Sequence, residues 1–232
     1  MKFGTKSLIA LAAVAGIHTA ASAVVIDSFD TPLGGQSSFE PPSGPGVSVP
    51  LPLDDSVIGD FRYIDVERIS GPGQVRLDIN NVVPGVAAIS SDTATAGTFT
   101  FAYGNLNPLA PIALDADLLA DGSDSIMVKI LQSDNLYAIE FTLRDGAGAT
   151  QVVTKPVPAN LGPQTMTFLF SEFAGLDFAD IDGIQMRAIG TANLDTQIDL
   201  IGTSTSIPVP AAVWAGGALL GGIVVRRLRR KA

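Results

Sequence analysis

Leu136-Tyr137-Ala138-Ile139-Glu140-Phe141-Thr142-Leu143, followed by Arg144-Asp145-Gly146, decides the fold class of this 232-residue chain. Tyr137, Ile139, Phe141 and Leu143 alternate with Ala138, Glu140 and Thr142. Successive side chains of a strand point to opposite faces, so this segment has one apolar face and one mostly polar face. Arg144-Asp145-Gly146 is a turn signal, and residues 151–154 supply the returning strand. The same period of two recurs outward in both directions. Val75, Leu77 and Ile79 share a face within 74–79; Phe99 and Phe101 alternate with Thr98 and Thr100 within 96–103. Ile126, Val128 and Ile130 alternate within 125–131, and Met166, Phe168 and Phe170 within 164–170. Further short strands are predicted at 24–29, 60–66, 85–90, 183–189 and 196–201.

Residues 31–52 hold Pro32, Pro41, Pro42, Pro45, Pro50 and Pro52, which predicts a long loop or extended segment. No amphipathic helix of three turns is predicted, only a single turn around 171–174. Roughly ten short strands separated by turn signals imply an all-β chain folded as an antiparallel β-sandwich of the jelly-roll kind.

Both ends differ from this pattern. Lys2 and Lys6 precede an apolar stretch at 8–17, and Ala21-Ser22-Ala23 closes the segment. A charged start, a short apolar run and an A-x-A site make residues 1–23 a signal peptide cut after Ala23 by signal peptidase. At the other end, residues 207–232 read IPVPAAVWAGGALLGGIVVRRLRRKA. Residues 211–225 carry no charge, but as a helix they span only about 22 Å against a hydrocarbon core of about 30 Å. Gly216, Gly217, Gly221 and Gly222 weaken this helix further. Arg226, Arg227, Arg229 and Arg230 then hold the C-terminus in the cytoplasm. The tail is predicted as a single hydrophobic helix that spans the inner membrane at least transiently.

Between the ends, residues 24–206 form one domain. Lys2 and Lys6 lie in the leader and five basic residues lie in the tail, whereas all 23 acidic residues lie in the domain. Seven basic against 23 acidic residues leave the domain at −16, while the whole chain is at −9. Such charge argues against nucleic acid and anionic membrane surfaces as partners. There is no cysteine, and the one histidine, His18, is in the leader. Ser-His-Asp and Cys-His catalysis and every His- or Cys-ligated metal are therefore excluded from the domain.

Ile207-Pro208-Val209-Pro210-Ala211, the Gly/Leu run and the arginine cluster together resemble the PEP-CTERM sorting signal, in the variant whose motif reads V-P-L-P-A. Val209 stands where the commonest form has Glu, and Ile207 where the variant has Val. The resemblance implies handling by exosortase, cleavage near Pro208-Val209-Pro210, and release to the cell surface or exterior. In the domain, Val25-Ile26-Asp27-Ser28-Phe29-Asp30 and Asp180-Ile181-Asp182-Gly183-Ile184-Gln185 are similar to galactose-binding-like jelly rolls, a fold that occurs in many carbohydrate-binding modules.

Closely spaced carboxylates suit calcium, a hard cation that prefers oxygen. Asp115, Asp117, Asp121 and Asp124 form one such set and Asp177, Asp180 and Asp182 another. The spacing does not match an EF-hand loop, and solvated turns account for Asp equally well. Asp27, Asp30, Asp195 and Asp199 are candidates for a structural calcium between the first and last strands, which the jelly-roll resemblance implies. Phe61, Tyr63, Tyr103 and Tyr137 are candidates for stacking on sugar rings, although aromatic residues in strands usually face the core. The predicted function is a non-enzymatic exported surface or matrix protein without a cofactor. The alternative is a module binding extracellular polysaccharide, with calcium as a possible structural ion, and a carboxylate-dependent glycoside hydrolase is the third reading.

Overall fold

The alternating segments pair edge to edge in the computed structural model, which describes residues 23–32, 38–39, 47–50, 57–109 and 111–205. Of the processing residues, Ala23 is exposed at the start of that set. Ala21, Pro208, Val209, Pro210, Arg226, Arg227, Arg229 and Arg230 lie outside the described residues. Thirteen strands occur among the described residues: β1 (Val25–Asp27), β2 (Ser38–Phe39), β3 (Val47–Pro50), β4 (Phe61–Ser70), β5 (Val75–Ile79), β6 (Ala87–Ser91) and β7 (Ala96–Gly104), then β8 (Ser125–Ser133), β9 (Tyr137–Asp145), β10 (Thr150–Val157), β11 (Gln164–Leu169), β12 (Ile181–Ile189) and β13 (Asp195–Ser204). One sheet has seven strands in the order β11-β8-β13-β6-β5-β2, with β1 also on β13. The other has six, in the order β10-β9-β12-β7-β4-β3. Every strand pair in both sheets is antiparallel. The chain is an antiparallel β-sandwich.

The apolar faces read from the sequence meet between the sheets. Ile64, Val66, Phe99, Phe101, Ile139, Phe141, Ile184 and Met186 of the six-stranded sheet are buried. So are Leu77, Ile79, Ile89, Ile126, Val128, Ile130, Ile198 and Ile201 of the seven-stranded sheet. Each such side chain contributes roughly 1.5–3 kcal/mol relative to exposure. Phe141 of β9 and Phe168 of β11 meet across the sandwich edge to face, with centroids 4.8 Å apart.

Several boundaries differ from the sequence expectation. β1 ends at Asp27 because Phe29 takes a left-handed backbone, φ 57°. The proline-rich stretch, expected as a long loop or extended segment, supplies β2 and β3, one at the edge of each sheet. Pro50, the last residue of β3, accordingly lies on an edge strand, where a missing N–H is tolerated. β4 runs on to Ser70, past the predicted end at 66, because its backbone continues to pair with Thr98, Gly97 and Ala96 of β7. The single helical turn falls at Phe170–Glu172, one residue earlier than expected.

One polar cluster crosses the apolar interior. Asp27 of β1, Arg62 of β4 and Tyr103 of β7 are each without exposed surface. The Arg62 Nε and one terminal nitrogen donate to the two Asp27 carboxylate oxygens, both at 2.5 Å. The Tyr103 hydroxyl donates to Asp27 at 2.7 Å, and the Phe29 N–H donates at 2.8 Å. The second terminal nitrogen of Arg62 reaches the Thr31 carbonyl, and the guanidinium lies 5.3 Å from the centre of the Phe29 ring. Burial acts to lower the affinity of Arg62 for its proton, but the Asp27 carboxylate and Tyr103 together raise it above its ordinary value. Burial, then the same carboxylate, push the Tyr103 phenol well above its ordinary value.

Removing one partner leaves an uncompensated buried charge, which is far costlier than replacing the whole pair. Arg62→Met is expected to lower stability by about 3–5 kcal/mol in urea unfolding. Tyr103→Phe, which removes one hydrogen bond to a charged group, is expected to cost about 1.5–3 kcal/mol. Equal losses for the two variants would show that Arg62 and Asp27 do not form the central pair.

Candidate functional site

The alternation that buries one face of the six-stranded sheet sets the composition of the other. Thr154, Glu140, Arg187, Thr100 and Asp65 lie in register across β10, β9, β12, β7 and β4. This row of hydrogen-bonding side chains is unbroken over five strands, about 19 Å at 4.8 Å per strand. An Arg187 terminal nitrogen donates to Glu140 Oε1 at 2.9 Å, and the Thr154 hydroxyl donates to Oε2 at 3.2 Å. Glu140 is therefore held from both sides. On one flank runs a row of Val152, Thr142, Gln185, Ala102 and Tyr63; on the other, Pro156, Ala138, Ile189, Thr98 and Glu67.

The central strand β7 presents only small side chains to this face. Thr98, Thr100 and Ala102 are 3%, 8% and 0% exposed, although they point away from the core. Longer side chains flank them in the register, Gln185 and Arg187 on β12 and Tyr63, Asp65 and Glu67 on β4, so the strip is a trough in side-chain length only. Among the described residues the Thr98 hydroxyl has no hydrogen-bond partner, although it is buried. Burial raises the Asp65 carboxyl above its ordinary value, and Glu67 two residues on raises it further. Leu106 and Leu114 pack close to Gly183 and Gly104 at one end of these strands. A Cβ on Gly183 would lie 2.9 Å from Leu106, and one on Gly104 would lie 2.3 Å from the Asp182 carbonyl. Only glycine allows this close approach.

The two acidic sets regroup in the structure. Asp115, from the first set, joins Asp180 and Asp182, from the second, with their carboxylate oxygens within 4.8 Å of one another. The Ala116–Ile181 bridge brings them together. The Asn105 side-chain amide donates to Asp182 at 3.0 Å. Desolvation, followed by the charges of Asp182, Asp115, Asp177 and Asp145, raises the Asp180 carboxyl. Three oxygen donors of this kind fit a hard divalent cation. Asp117, Asp121 and Asp177 instead accept from the backbone N–H two residues on, closing turns at Leu119, Ser123 and Ala179.

Candidates named for a cation between the first and last strands have partners within the chain. Asp27 gives both oxygens to Arg62, Asp199 pairs with Lys129, and Asp30 accepts from the Ser28 hydroxyl. The Asp195 carboxyl, raised by burial and Asp134, pairs with none of these three. Of the aromatic candidates, Tyr103 belongs to the Arg62 cluster, and Tyr137, 2% exposed, meets the Thr196 hydroxyl at 3.4 Å. Neither presents a ring to a ligand. Tyr63, 8% exposed, and half-buried Phe61 lie on the trough face of β4.

The outer face of the seven-stranded sheet also has a depression, of about 270 Å³, beside the Arg76–Asp78 pair. Its register row of Gln132, Gln197, Ala88 and Asp78 crosses four strands and is interrupted by an alanine.

No family model matches the chain, and no curated protein matches it. Among solved structures, it is similar to the family 11 carbohydrate-binding module of the cellulosomal cellulase Lic26A-Cel5E of Clostridium thermocellum. The identity is 15%, with 81% of this chain and 97% of that one covered and a TM-score of 0.38. The family 30 carbohydrate-binding module of the cellulosomal cellulase Cel9D-Cel44B of Clostridium thermocellum is 13% identical. There, 80% of this chain and 98% of that one are covered, at a TM-score of 0.39. An agarase, AgWH50C, is 9% identical over 68% of this chain and 24% of that one, at a TM-score of 0.40.

In the carboxylate cluster, Asp180 is expected to titrate above the ordinary aspartate value, and Asp115→Asn is expected to move it back toward that value. A raised folded-state value means that the folded protein binds this proton more tightly than the unfolded one, so repulsion in the cluster is relieved as pH falls through it. Side-chain carbonyl NMR measures both effects. An Asp180 midpoint at or below the ordinary value would contradict the arrangement.

Proposed function

We propose that the protein is a non-catalytic, exported polysaccharide-binding β-sandwich. The observation that carries this reading is the register row Thr154–Glu140–Arg187–Thr100–Asp65 above a floor of small side chains. A polysaccharide offers a line of hydroxyl groups, each both donor and acceptor. Arg187 and Gln185 supply donors, Glu140 and Asp65 acceptors, and the threonines both. The row sets these groups in line across five strands, without the enclosed apolar walls of a small-molecule pocket. Recognition would rest on hydrogen bonds more than on stacking, because Tyr103 and Tyr137 face the core. The fold likeness to the two Clostridium modules is compatible with this reading, but the face itself supports it.

Export and sorting belong to the same proposal. The leader would be removed after Ala23, and the tail through Pro208, Val209, Pro210 and the arginine cluster would direct the domain to the cell surface or exterior. The carboxylates of Asp115, Asp180 and Asp182 would hold a structural calcium ion beside the trough. A face built for hydrogen bonding favours binding over hydrolysis.

A glycan array followed by calorimetry on the full chain tests the binding. Arg187→Ala is expected to weaken binding by about tenfold, the loss of one or two hydrogen bonds to a charged donor. Ala102→Leu, which fills the floor, is expected to abolish it. The Arg187–Glu140 pair is partly exposed, so folding should change by less than about 1 kcal/mol in the Arg187→Ala variant. Unchanged affinity in both folded variants, or release of shortened sugars by the wild type, would remove the proposal.

A further inference from the structure

The start and the end of the domain meet at one corner of the sandwich. β1 pairs antiparallel with β13, so Val25 faces Gly202. The Thr203 N–H donates to the Val24 carbonyl at 2.8 Å, and the Val24 nitrogen donates to the Thr203 hydroxyl oxygen at 2.8 Å. Thr203 has no exposed surface. Its hydroxyl in turn donates to Asp121 Oδ2 at 3.1 Å, while the Ser123 N–H holds Asp121 Oδ1 at 2.8 Å. A buried hydroxyl therefore holds one backbone nitrogen, and a carboxylate stands directly behind that hydroxyl.

That nitrogen is at the bond the leader presents for cleavage. As an amide, Val24 N has one hydrogen, which the Thr203 hydroxyl oxygen takes. As a free α-amine, it has three hydrogens and a positive charge at neutral pH. We infer that Asp121 and Thr203 form a receptor for the α-ammonium that leader removal after Ala23 creates, so that cleavage completes an ion pair locking β1 onto β13. Hydrolysis of the Ala23–Val24 amide supplies the group: water adds across the bond, Ala23 leaves as a carboxylate and Val24 gains the amine. The consequence reaches the core, because β1 carries Asp27, the partner of Arg62. Burial acts to raise the Asp121 carboxyl, but the hydrogen bonds it accepts bring it below its ordinary value, which keeps it ionised for this role.

The inference rests on cleavage after Ala23, which belongs to the proposed export, so the test separates the two. The full gene is expressed in a Gram-negative host and the processed protein is recovered. Its N-terminus is read by mass spectrometry. A start elsewhere than Val24 overturns the cleavage site, and the receptor with it. With a Val24 start, four proteins are compared by urea unfolding: the wild type, a variant with one alanine inserted between Ala23 and Val24, Asp121→Asn, and the two changes combined. Mass spectrometry confirms that the inserted alanine is the new first residue. Insertion returns Val24 N to an amide and is expected to reduce the folded-to-unfolded ratio about tenfold, the scale of a hydrogen-bonded charge pair. In the Asp121→Asn background the same insertion should have little effect. Equal effects in the two backgrounds would show that the amine and Asp121 do not interact, even with cleavage placed as expected.

Discussion

Arg62 is a guanidinium with no exposed surface, and the arrangement of both sheets depends on how its charge is met. Its partner Asp27 comes from β1, on the seven-stranded sheet, whereas Arg62 and Tyr103 come from β4 and β7 on the six-stranded one. Hydrophobic burial draws the two layers together but has no direction and tolerates sliding. A bidentate charge pair has a narrow geometry, and losing it in a dry interior is severe. The pair therefore sets the position of one layer against the other. Its guanidinium provides a fixed positive charge from within the chain.

That position decides what the outer face of the six-stranded sheet can do. With β7 central, its small outward residues Thr98, Thr100 and Ala102 lie between the longer side chains of β4 and β12. Tyr103 turns inward to Asp27, and Tyr137 lies beside Thr196. What remains on this face is a polar strip.

The adjacency of β1 and β13 joins the two ends of the described domain. Val24 and Thr203 are 179 residues apart in sequence and share two hydrogen bonds.

Which side chains turn inward was legible in the sequence, because the period of two is local. Tyr137, Ile139, Phe141 and Leu143 face the core, while Ala138, Glu140 and Thr142 face outward. The sequence by itself also determined the all-β class, the charge of the domain, and the exclusion of histidine and cysteine chemistry from it. It did not give the neighbours of each strand. β12 inserts between β9 and β7, and β13 between β8 and β6, across long separations. Backbone ladders use the same N–H and C=O groups whatever the side chains, so one strand's pattern does not name its partner. For that reason only the tertiary structure set Arg187 beside Glu140, Asp115 beside Asp180, and Arg62 on Asp27: each pairing depends on which strands and loops pack side by side, which no local run of residues encodes.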